Sequence, residues 1–227
     1  MSKYAINRNR VVENFIHSAF ALDNVAGRNT PFRLLEFGAG RGEFIDRFRG
    51  IANVETIASD LDPLYLAALA TRHTVAEGIE SLPAPVDGIF AIDVLEHIED
   101  DRAALAMMHR ALTPNGKILI YVPARMELYS PFDKAIGHFR RYDVADLRTK
   151  ALEAGFHIET ARYHDFLGYF AAYYNKLFTS DDAAGLNPRA VEIYDRYLVP
   201  TSEGIERIIR RPPIGKNVLL VASKVAP

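Results

Sequence analysis

The chain has 227 residues, of which 49% are apolar and 25% charged, a composition that suits one α/β domain with a sizeable core. A formal net charge of −2 argues against nucleic acid as a partner, and zero cysteines exclude disulfides, thiolate metal sites and a cysteine nucleophile. No apolar run reaches the roughly 18 residues that span a bilayer and no signal peptide follows Met1, so we expect a cytoplasmic protein without membrane contact.

Predicted strands and helices alternate after an N-terminal helical segment. Residues 3–26 carry apolar side chains at helical spacing, and a second helical stretch covers 101–112. Short apolar runs rich in β-forming residues predict buried strands at 54–58, 88–94, 117–122 and 218–223. The alternation predicts an α/β fold with a doubly wound, mostly parallel sheet that binds ligands at the carboxyl ends of its strands.

A long insertion separates the last two predicted strands. About fifty residues lie between the strand near 156–163 and the last strand, Asn217–Ser223. The first part of the insertion carries aromatic residues at helical spacing: Phe166, Tyr169, Phe170, Tyr173, Tyr174 and Phe178. An insertion of this length predicts either a lid over the site or an oligomer surface, which would make a homodimer.

The most informative segment is LLEFGAGRGEF at 34–44, where an apolar run gives way to alternating glycines. The glycines from Gly38 to Gly42 predict a tight turn that opens a helix and lets a ligand approach the backbone. The dinucleotide pattern G-x-G-x-x-G fails because position 43 is Glu43. Glu36 would repel a pyrophosphate and suits a cationic ligand, such as the sulfonium of S-adenosylmethionine. Another nucleotide or a structural turn are the alternatives.

Two further strand ends carry candidate ligand contacts. Asp60 ends the second strand 20 residues after Gly40, a position from which a carboxylate can accept both hydroxyl protons of a ribose. The alternative is that Asp60 or Asp62 caps the next helix. Asp93 ends strand four and faces the predicted cleft, and segment 77–83 is expected to close over an adenine ring.

In order and content, these motifs resemble the class I, Rossmann-like S-adenosylmethionine-dependent methyltransferases over nearly the whole chain. The resemblance is carried by LEFGAGRGEF, ASDLDP, IDVLEHIEDDRAAL and ALTPNGKILIYVPA. A finer match, at 122–156, resembles a bacterial branch with a Gly-His-aromatic-Arg-Arg-Tyr loop. The resemblance implies S-adenosyl-L-methionine as cofactor and S-adenosyl-L-homocysteine as product. It also implies a seven-stranded sheet whose last strand is antiparallel and follows a helical insertion.

The resemblance further implies a single methyltransferase domain over 1–227. Its expected parts are an N-terminal helical cap (1–28), a cofactor-binding half (30–123), an acceptor-side loop (124–163), the helical insertion (164–216) and the last strand (217–224). The cofactor contacts carried over by position are Glu36, Gly38, Ala39, Gly40, Asp60, Leu61, Gly78, Ile79, Asp93 and Val94. Gly78 stands where many relatives carry an acid, which leaves backbone groups and Glu80 to bind the adenine amino group.

The acceptor is expected above the strand ends, beneath the N-terminal helix and the insertions. The candidate catalytic residues are His138, Tyr173 and His164, and the candidate acceptor-binding residues are Tyr129, Tyr142 and Tyr169. If these fail, the N-terminal helix around Tyr4, Arg8 and Phe15 is the next place to look.

Each acceptor-side candidate has a structural alternative. His138 would only orient its loop, and Tyr142 would pin that loop to the body through buried hydrogen bonds. His164 could act with Asp165 only if a turn follows the strand, because neighbours in a strand point to opposite faces. Tyr173 and the other aromatic residues of the insertion would simply pack.

Adjacent Glu96 and His97 do not predict a metal site, because neighbouring helical residues should not converge on one ion, and we expect none. The leading hypothesis is methyl transfer to oxygen, nitrogen or carbon of a small molecule in bacterial secondary metabolism. Such a reaction needs mainly alignment, and needs a base only for acceptors such as hydroxyls. The alternatives are aminopropyl transfer on the same fold and a non-catalytic S-adenosylmethionine-binding partner or scaffold.

Overall fold

One mixed sheet organises the computed structural model, which describes residues 6–178 and 188–226. In this part of the chain the strands are β1 (Phe32–Phe37), β2 (Val54–Ser59), β3 (Thr74–Ala76), β4 (Val86–Ile92), β5 (Leu112–Pro123), β6 (Phe156–His164) and β7 (Asn217–Lys224). Their spatial order is β3-β2-β1-β4-β5-β7-β6, and β7 runs antiparallel to both of its neighbours. The other pairings are parallel. This arrangement confirms the predicted fold class.

Helices cover both faces of the sheet. The described helices are α1 (Ile6–Phe20), α2 (Ile45–Phe48), α3 (Pro63–Leu69), α4 (Asp101–Ala111), α5 (Pro131–Ala135), α6 (Val144–Glu153), α7 (Phe166–Phe178), α8 (Pro188–Ile193) and α9 (Val199–Ile209). Successive residues of β1 point to opposite faces, so Leu34 packs in the core beneath α1 to α3 and Leu35 in the core beneath α4 and α6. Burial on both sides explains why the central strands are apolar throughout.

The helical stretch predicted at 101–112 is confirmed as α4, which ends at Ala111, one residue earlier than predicted. Residues 113–116, which follow α4, form a bulge inside the long strand β5. Pairing with β4 moves from Val86 opposite Leu112 to Gly88 opposite Lys117, so residues 113–116 loop out of the ladder. The turn-forming residues 113–116 therefore still form a turn, although they lie within a strand.

The insertion before β7 is helical, as predicted, and it is joined to α1. It contains α7, α8, the π-helical turn Tyr194–Leu198 and α9, while residues 179–187 lie outside the described part. The Asp195 carboxylate accepts hydrogen bonds at 3.0 Å from the backbone N–H groups of Asn7 and Arg8. A side chain of the insertion thus caps the first turn of α1. Among the described helices, none has the length and apolar character needed to cross a membrane.

Candidate functional site

The glycine turn lies between the end of β1 and the start of α2, at the carboxyl edge of the sheet. Backbone N–H groups of Gly38 and Ala39 donate to the Ser59 carbonyl at 2.8 and 2.9 Å, which fixes the turn against β2. Gly38 has a φ of +75°, and a Cβ there would lie 2.6 Å from Val94 Cγ2. Gly40 has a φ of +51°, and no atom of the described residues beyond its chain neighbours lies within 4 Å of where a Cβ would be. The turn therefore needs glycine at position 38 for packing, whereas at position 40 it leaves room for a ligand.

Glu36 lies beneath the turn. Its carboxylate is buried, and the Ile45 N–H at the start of α2 donates to Oε2 at 2.8 Å. Burial raises the pKa of Glu36 well above its ordinary value of 4.5, although the Ile45 bond favours the ionised form. The carboxylate thus braces the turn from below, and its predicted contact with a cationic ligand stays a prediction.

Asp60 connects the turn to the end of β2. Oδ2 accepts the Gly40 N–H at 2.7 Å, and Oδ1 accepts the Asp62 N–H at 2.9 Å. Each carboxylate oxygen retains a second lone pair, so both can still accept a ribose hydroxyl. Asp62 is the N-cap of α3, since its side chain accepts the Leu64 N–H at 2.8 Å. The two acids therefore have the separate positions that the sequence suggested.

The predicted adenine side of the site is lined by backbone and apolar groups. Leu61 is 91% exposed beside Asp60 and gives an apolar surface for a flat ring. After β3, the Ser81 hydroxyl donates to the Gly78 carbonyl at 2.8 Å and holds a short helical turn in which Ile79 is buried. The structure brings these residues to the same edge as the glycine turn.

Asp93 and Arg8 form an ion pair at the end of β4. Asp93 has a φ of +53°, an uncommon conformation for a non-glycine residue, and its N–H donates to the Tyr121 carbonyl at 2.8 Å. The Arg8 guanidinium bonds to the Asp93 carboxylate and lies 5.6 Å from the centre of the Tyr121 ring. Burial lowers the pKa of Arg8, but Asp93 and other anionic neighbours outweigh it and hold that pKa above its ordinary value. Arg8 belongs to the N-terminal segment that the sequence offered only as a second choice; Tyr4 lies outside the described residues.

The loop that follows β5 is held by a network around Asp133. Its carboxylate accepts from the Arg141 side chain, from Ser130 and from the His138 ring, whose Nδ1 lies 2.9 Å from Oδ1. The Tyr129 hydroxyl donates to the His138 carbonyl at 2.7 Å. Asp133 is the central member of this network, although the sequence analysis gave it no role in the site.

Tyr142 is fully buried, which corrects its assignment to the acceptor site. Its hydroxyl donates to Asp101 at 2.8 Å and lies 3.1 Å from the Leu95 carbonyl. Burial raises the pKa of the Tyr142 phenol, and the hydrogen bond to Asp101 adds to this effect. With no exposed surface, Tyr142 pins the loop to the sheet, which was the structural alternative.

Glu96, His97 and His138 converge beside Asp93. Ligand atoms of these three side chains lie within 4.8 Å of one another. Glu96 and His97 occupy the short 3₁₀ turn Leu95–His97 and their ligand atoms nevertheless lie close together, so the expectation that they cannot converge is wrong. Burial raises the pKa of Glu96 well above its usual value, and the Asp93 charge raises it further. Burial also lowers the pKa of His97, with a further contribution from His138.

His164 lies in a buried network and not beside an orienting Asp165. Its Nδ1 is 2.8 Å from the Tyr121 hydroxyl, and its Nε2 is 2.7 Å from Glu203 Oε1 on α9. Asp165 has a φ of +62° and accepts the Gly168 N–H at 3.0 Å, so it caps α7. The turn after β6 exists, but it directs the two side chains to different partners.

Tyr169 and Tyr173 stack on α7 at the outer side of the site. Their ring centroids are 6.1 Å apart with an interplanar angle of 14°, and Tyr173 is 42% exposed. The Tyr169 hydroxyl donates to Glu127 Oε1 at 3.3 Å, which links α7 to the loop after β5. Both tyrosines therefore offer ring surface on α7, while their catalytic and acceptor-binding roles stay predictions.

Comparison with known proteins decides which family this arrangement belongs to. A family model described as a methyltransferase domain matches residues 4–161, more than half of the chain. The chain belongs to this methyltransferase family. A "probable S-adenosylmethionine-dependent methyltransferase" of Mycolicibacterium smegmatis is 29% identical over 154 residues, which cover 64% of this chain and 56% of that protein. Curated relatives from Mycobacterium tuberculosis match over 51% of their length. The chain thus spans about half the length of the curated relatives it matches.

Solved structures support the fold of this methyltransferase domain. A SAM-dependent methyltransferase from Archaeoglobus fulgidus matches with a TM-score of 0.60 and 19% identity, covering 95% of this chain and 94% of that one. A cyclopropane synthase from Mycobacterium tuberculosis matches with a TM-score of 0.59 and 18% identity, covering 99% and 87%. At such identities the likeness concerns the fold alone, and the two proteins carry different names for their chemistry.

Proposed function

We propose that this chain binds S-adenosyl-L-methionine and transfers its methyl group to a small-molecule acceptor, releasing S-adenosyl-L-homocysteine. The observation that carries the proposal is the hydrogen bond from the Gly40 N–H to Asp60 at 2.7 Å. It unites an open glycine turn with a carboxylate that keeps two free acceptor positions, the combination that a nucleoside with an extended tail requires. Family membership and the name of the mycobacterial relative support the same cofactor.

In this proposal the protein contributes mainly alignment. The bound cofactor supplies an activated methyl group on a sulfonium, whose thioether leaves without protonation. Asp60 would hold the ribose, the turn at Gly38–Gly40 would receive the amino-acid tail, and Leu61 would cover the adenine. Holding donor and acceptor in line is worth several kcal/mol without any side-chain chemistry.

The acceptor is inferred to be a small molecule methylated on oxygen, nitrogen or carbon. The acceptor would lie above Asp93, which is paired with Arg8 of α1, and the stacked rings of Tyr169 and Tyr173 on α7 would line its outer side. Mixed aromatic and polar lining of this kind suits a compact molecule, and the net charge of −2 does not favour nucleic acid. We further infer that the His138 loop places the protein in the bacterial branch with the Gly-His-aromatic-Arg-Arg-Tyr loop. We also infer that the protein acts in secondary metabolism in the cytoplasm, and that it can form a homodimer through the insertion.

A non-catalytic protein that only binds the cofactor is the second candidate. The two functions separate in one series of measurements, because binding alone predicts S-adenosylhomocysteine affinity without turnover. Copurified small molecules identified by mass spectrometry would supply acceptors for a turnover assay with labelled S-adenosylmethionine. Methyl transfer to any of them supports the enzyme, whereas tight cofactor binding with no transfer to the copurified compounds supports the second candidate.

Asp60→Ala tests the cofactor site directly, with Asp62→Ala as the matched control. Hydrogen bonds to a charged group contribute about 1.5–3 kcal/mol each, so loss of Asp60 should weaken S-adenosylhomocysteine binding by at least about 10-fold in calorimetry. Asp62→Ala should instead lower the free energy of unfolding by about 0.5–2 kcal/mol and leave affinity unchanged, because Asp62 caps α3. If the Asp62 variant loses affinity while a folded Asp60 variant keeps it, the assignment of the two acids is reversed.

A further inference from the structure

The cluster of Glu96, His97 and His138 is formed by two segments held together through the backbone. Glu96 and His97 follow β4, and the His138 loop crosses them because the Phe139 N–H donates to the Glu96 carbonyl at 2.8 Å. The rings of His97 and His138 meet edge to face with centroids 4.6 Å apart. The fold thus fixes all three side chains before any ligand binds.

The Glu96 carboxylate is the part of the cluster that lacks a partner. The side chain is completely buried, and within the described residues neither of its oxygens makes a hydrogen bond. The nearest basic atom, His138 Nε2, is 3.8 Å from Oε1, too far for a hydrogen bond. Leaving a buried carboxylate unsatisfied is expensive, so its persistence indicates a group that completes it when bound.

Both histidines bring a ring nitrogen within 4.8 Å of this carboxylate. Asp133 accepts from His138 Nδ1 at 2.9 Å, which assigns the proton to Nδ1 and leaves the lone pair of Nε2 facing Glu96. The His97 ring packs edge to face on the His138 ring and lies beside Gly137, where a Cβ would be 3.8 Å from His97 Nδ1. A histidine whose outer nitrogen is held by a carboxylate or carbonyl is the usual arrangement of a metal ligand.

We propose that Glu96, His97 and His138 bind one divalent first-row transition-metal ion, such as Zn²⁺. Two imidazole nitrogens and one carboxylate oxygen suit such an ion better than Mg²⁺ or Ca²⁺, which prefer oxygen ligands. Three protein ligands leave coordination positions open to water or an acceptor. The proposal reverses the expectation, drawn from the sequence, that the chain holds no metal.

The site lies beside Asp93 and hence at the predicted acceptor position. Resting on the proposed methyl transfer, the metal site adds a substrate class: an acceptor whose hydroxyl would bind the ion, which would lower the pKa of that hydroxyl and ease loss of its proton to solvent water. The metal site itself is independent of that step. Binding of the metal ion can be measured on the protein without cofactor.

A second cluster, His164 with Glu203 and Glu206, supplies the control. Its members are satisfied by protein partners: His164 by Tyr121 and Glu203, and Glu206 by Arg162 and the Phe166 N–H. Among the described residues, this cluster contains no buried polar atom that lacks a partner. Glu203→Gln therefore removes a carboxylate from a similar group of histidine and glutamate side chains, at a place where we expect no metal.

The test is titration of the chelator-treated protein with Co²⁺, followed by visible absorption, and with Zn²⁺, followed by calorimetry. Wild type should bind one equivalent with a Co²⁺ absorption band, and Glu96→Gln and His138→Asn should each weaken binding by at least about 10-fold. Glu203→Gln should bind as wild type. If Glu96→Gln does not fold, as judged by circular dichroism, His97→Asn at the more exposed ligand takes its place.

Three results would overturn the metal site: no Co²⁺ binding to wild type, wild-type affinity in the folded ligand variants, or loss of binding in Glu203→Gln alone. A titration with S-adenosylhomocysteine on the same wild-type sample keeps the two proposals separate. Co²⁺ binding without S-adenosylhomocysteine binding would support the metal site while contradicting the proposed function.

Discussion

Gly38 and Gly40 have the same backbone requirement but different surroundings. Both adopt positive φ, yet a side chain at 38 would collide with Val94, whereas position 40 faces open space. An added side chain at Gly38 therefore strains the backbone and disrupts packing, whereas one at Gly40 strains the backbone and obstructs what binds there. The distinction depends on a contact with residue 94 and is invisible in the sequence motif.

Gly40→Val should remove cofactor binding while the protein stays folded. Gly50→Val is the matched control, because Gly50 also has a positive φ (+90°) and open space within 4 Å of where a Cβ would lie, but follows α2. Each variant should lose about 1–2 kcal/mol of unfolding free energy from the left-handed conformation. Calorimetry with S-adenosylhomocysteine should then show a loss of at least about 10-fold in affinity for Gly40→Val alone. Unchanged affinity in a folded Gly40→Val variant would contradict the proposed site.

Glu36 predicts a pH dependence of stability. Burial raises the pKa of Glu36 above 4.5 in the folded state, so its contribution to stability is fully present below that pH and is lost as the pH rises towards the folded-state pKa. Glu36→Gln keeps an oxygen for the Ile45 N–H and removes the ionisation. The stability of this variant relative to wild type should therefore increase with pH above 4.5, by at most about 1.4 kcal/mol per pH unit.

Urea denaturation across this pH range measures the effect of Glu36. The difference between variant and wild type cancels the contributions of the other buried acids. A difference that stays constant from acid to neutral pH would mean that Glu36 is ionised in the folded protein.

At the scale of elements, the features predicted from the sequence are those whose partners are close along the chain. The cap of α3 by Asp62 involves Leu64, two residues away, and the glycine turn is local. In contrast, His164 pairs with Glu203, 39 residues away, and Asp195 caps α1 from a distance of 188 residues. Such partners depend on tertiary packing, so the sequence identified the elements but not Glu203 as the acid that His164 contacts.

The contact between Asp195 and α1 is the main polar link between the insertion and the first helix. Asp195→Ala removes the acceptor of two backbone N–H groups and should lower the free energy of unfolding by about 0.5–2 kcal/mol. Hydrogen exchange at Asn7 and Arg8 should accelerate, because their amides lose protection. Asp23→Ala, at an exposed acid near the other end of α1, should leave both amides unaffected. If exchange at Asn7 and Arg8 does not change in Asp195→Ala, the cap does not hold the helix in solution.

At the scale of the whole molecule, the sheet order explains why distant motifs form one site. β1, β2 and β4 are parallel neighbours, so Gly38, Asp60 and Asp93 lie at the same edge although more than fifty residues separate the first from the last. The reversed β7 returns the chain beside β5 and leaves the insertion on that edge. The alternation of strands and helices in the sequence predicted this convergence. The complete burial of Tyr142 could not be predicted in the same way, because it depends on how the loop packs.

The cofactor and the expected single domain together predict how the whole chain unfolds on heating. A ligand at about 100 times its dissociation constant stabilises the folded state by about 2.7 kcal/mol, which for a chain of this size raises Tm by roughly 5–10 °C. One cooperative transition should shift as a unit when S-adenosylhomocysteine is added, because α1 and the insertion are both bonded to the sheet or to each other. Asp60→Ala should keep the transition and lose the shift. Two transitions in calorimetry, with only the lower-temperature one unaffected by the ligand, would show that the insertion unfolds separately and that the chain is not a single cooperative domain.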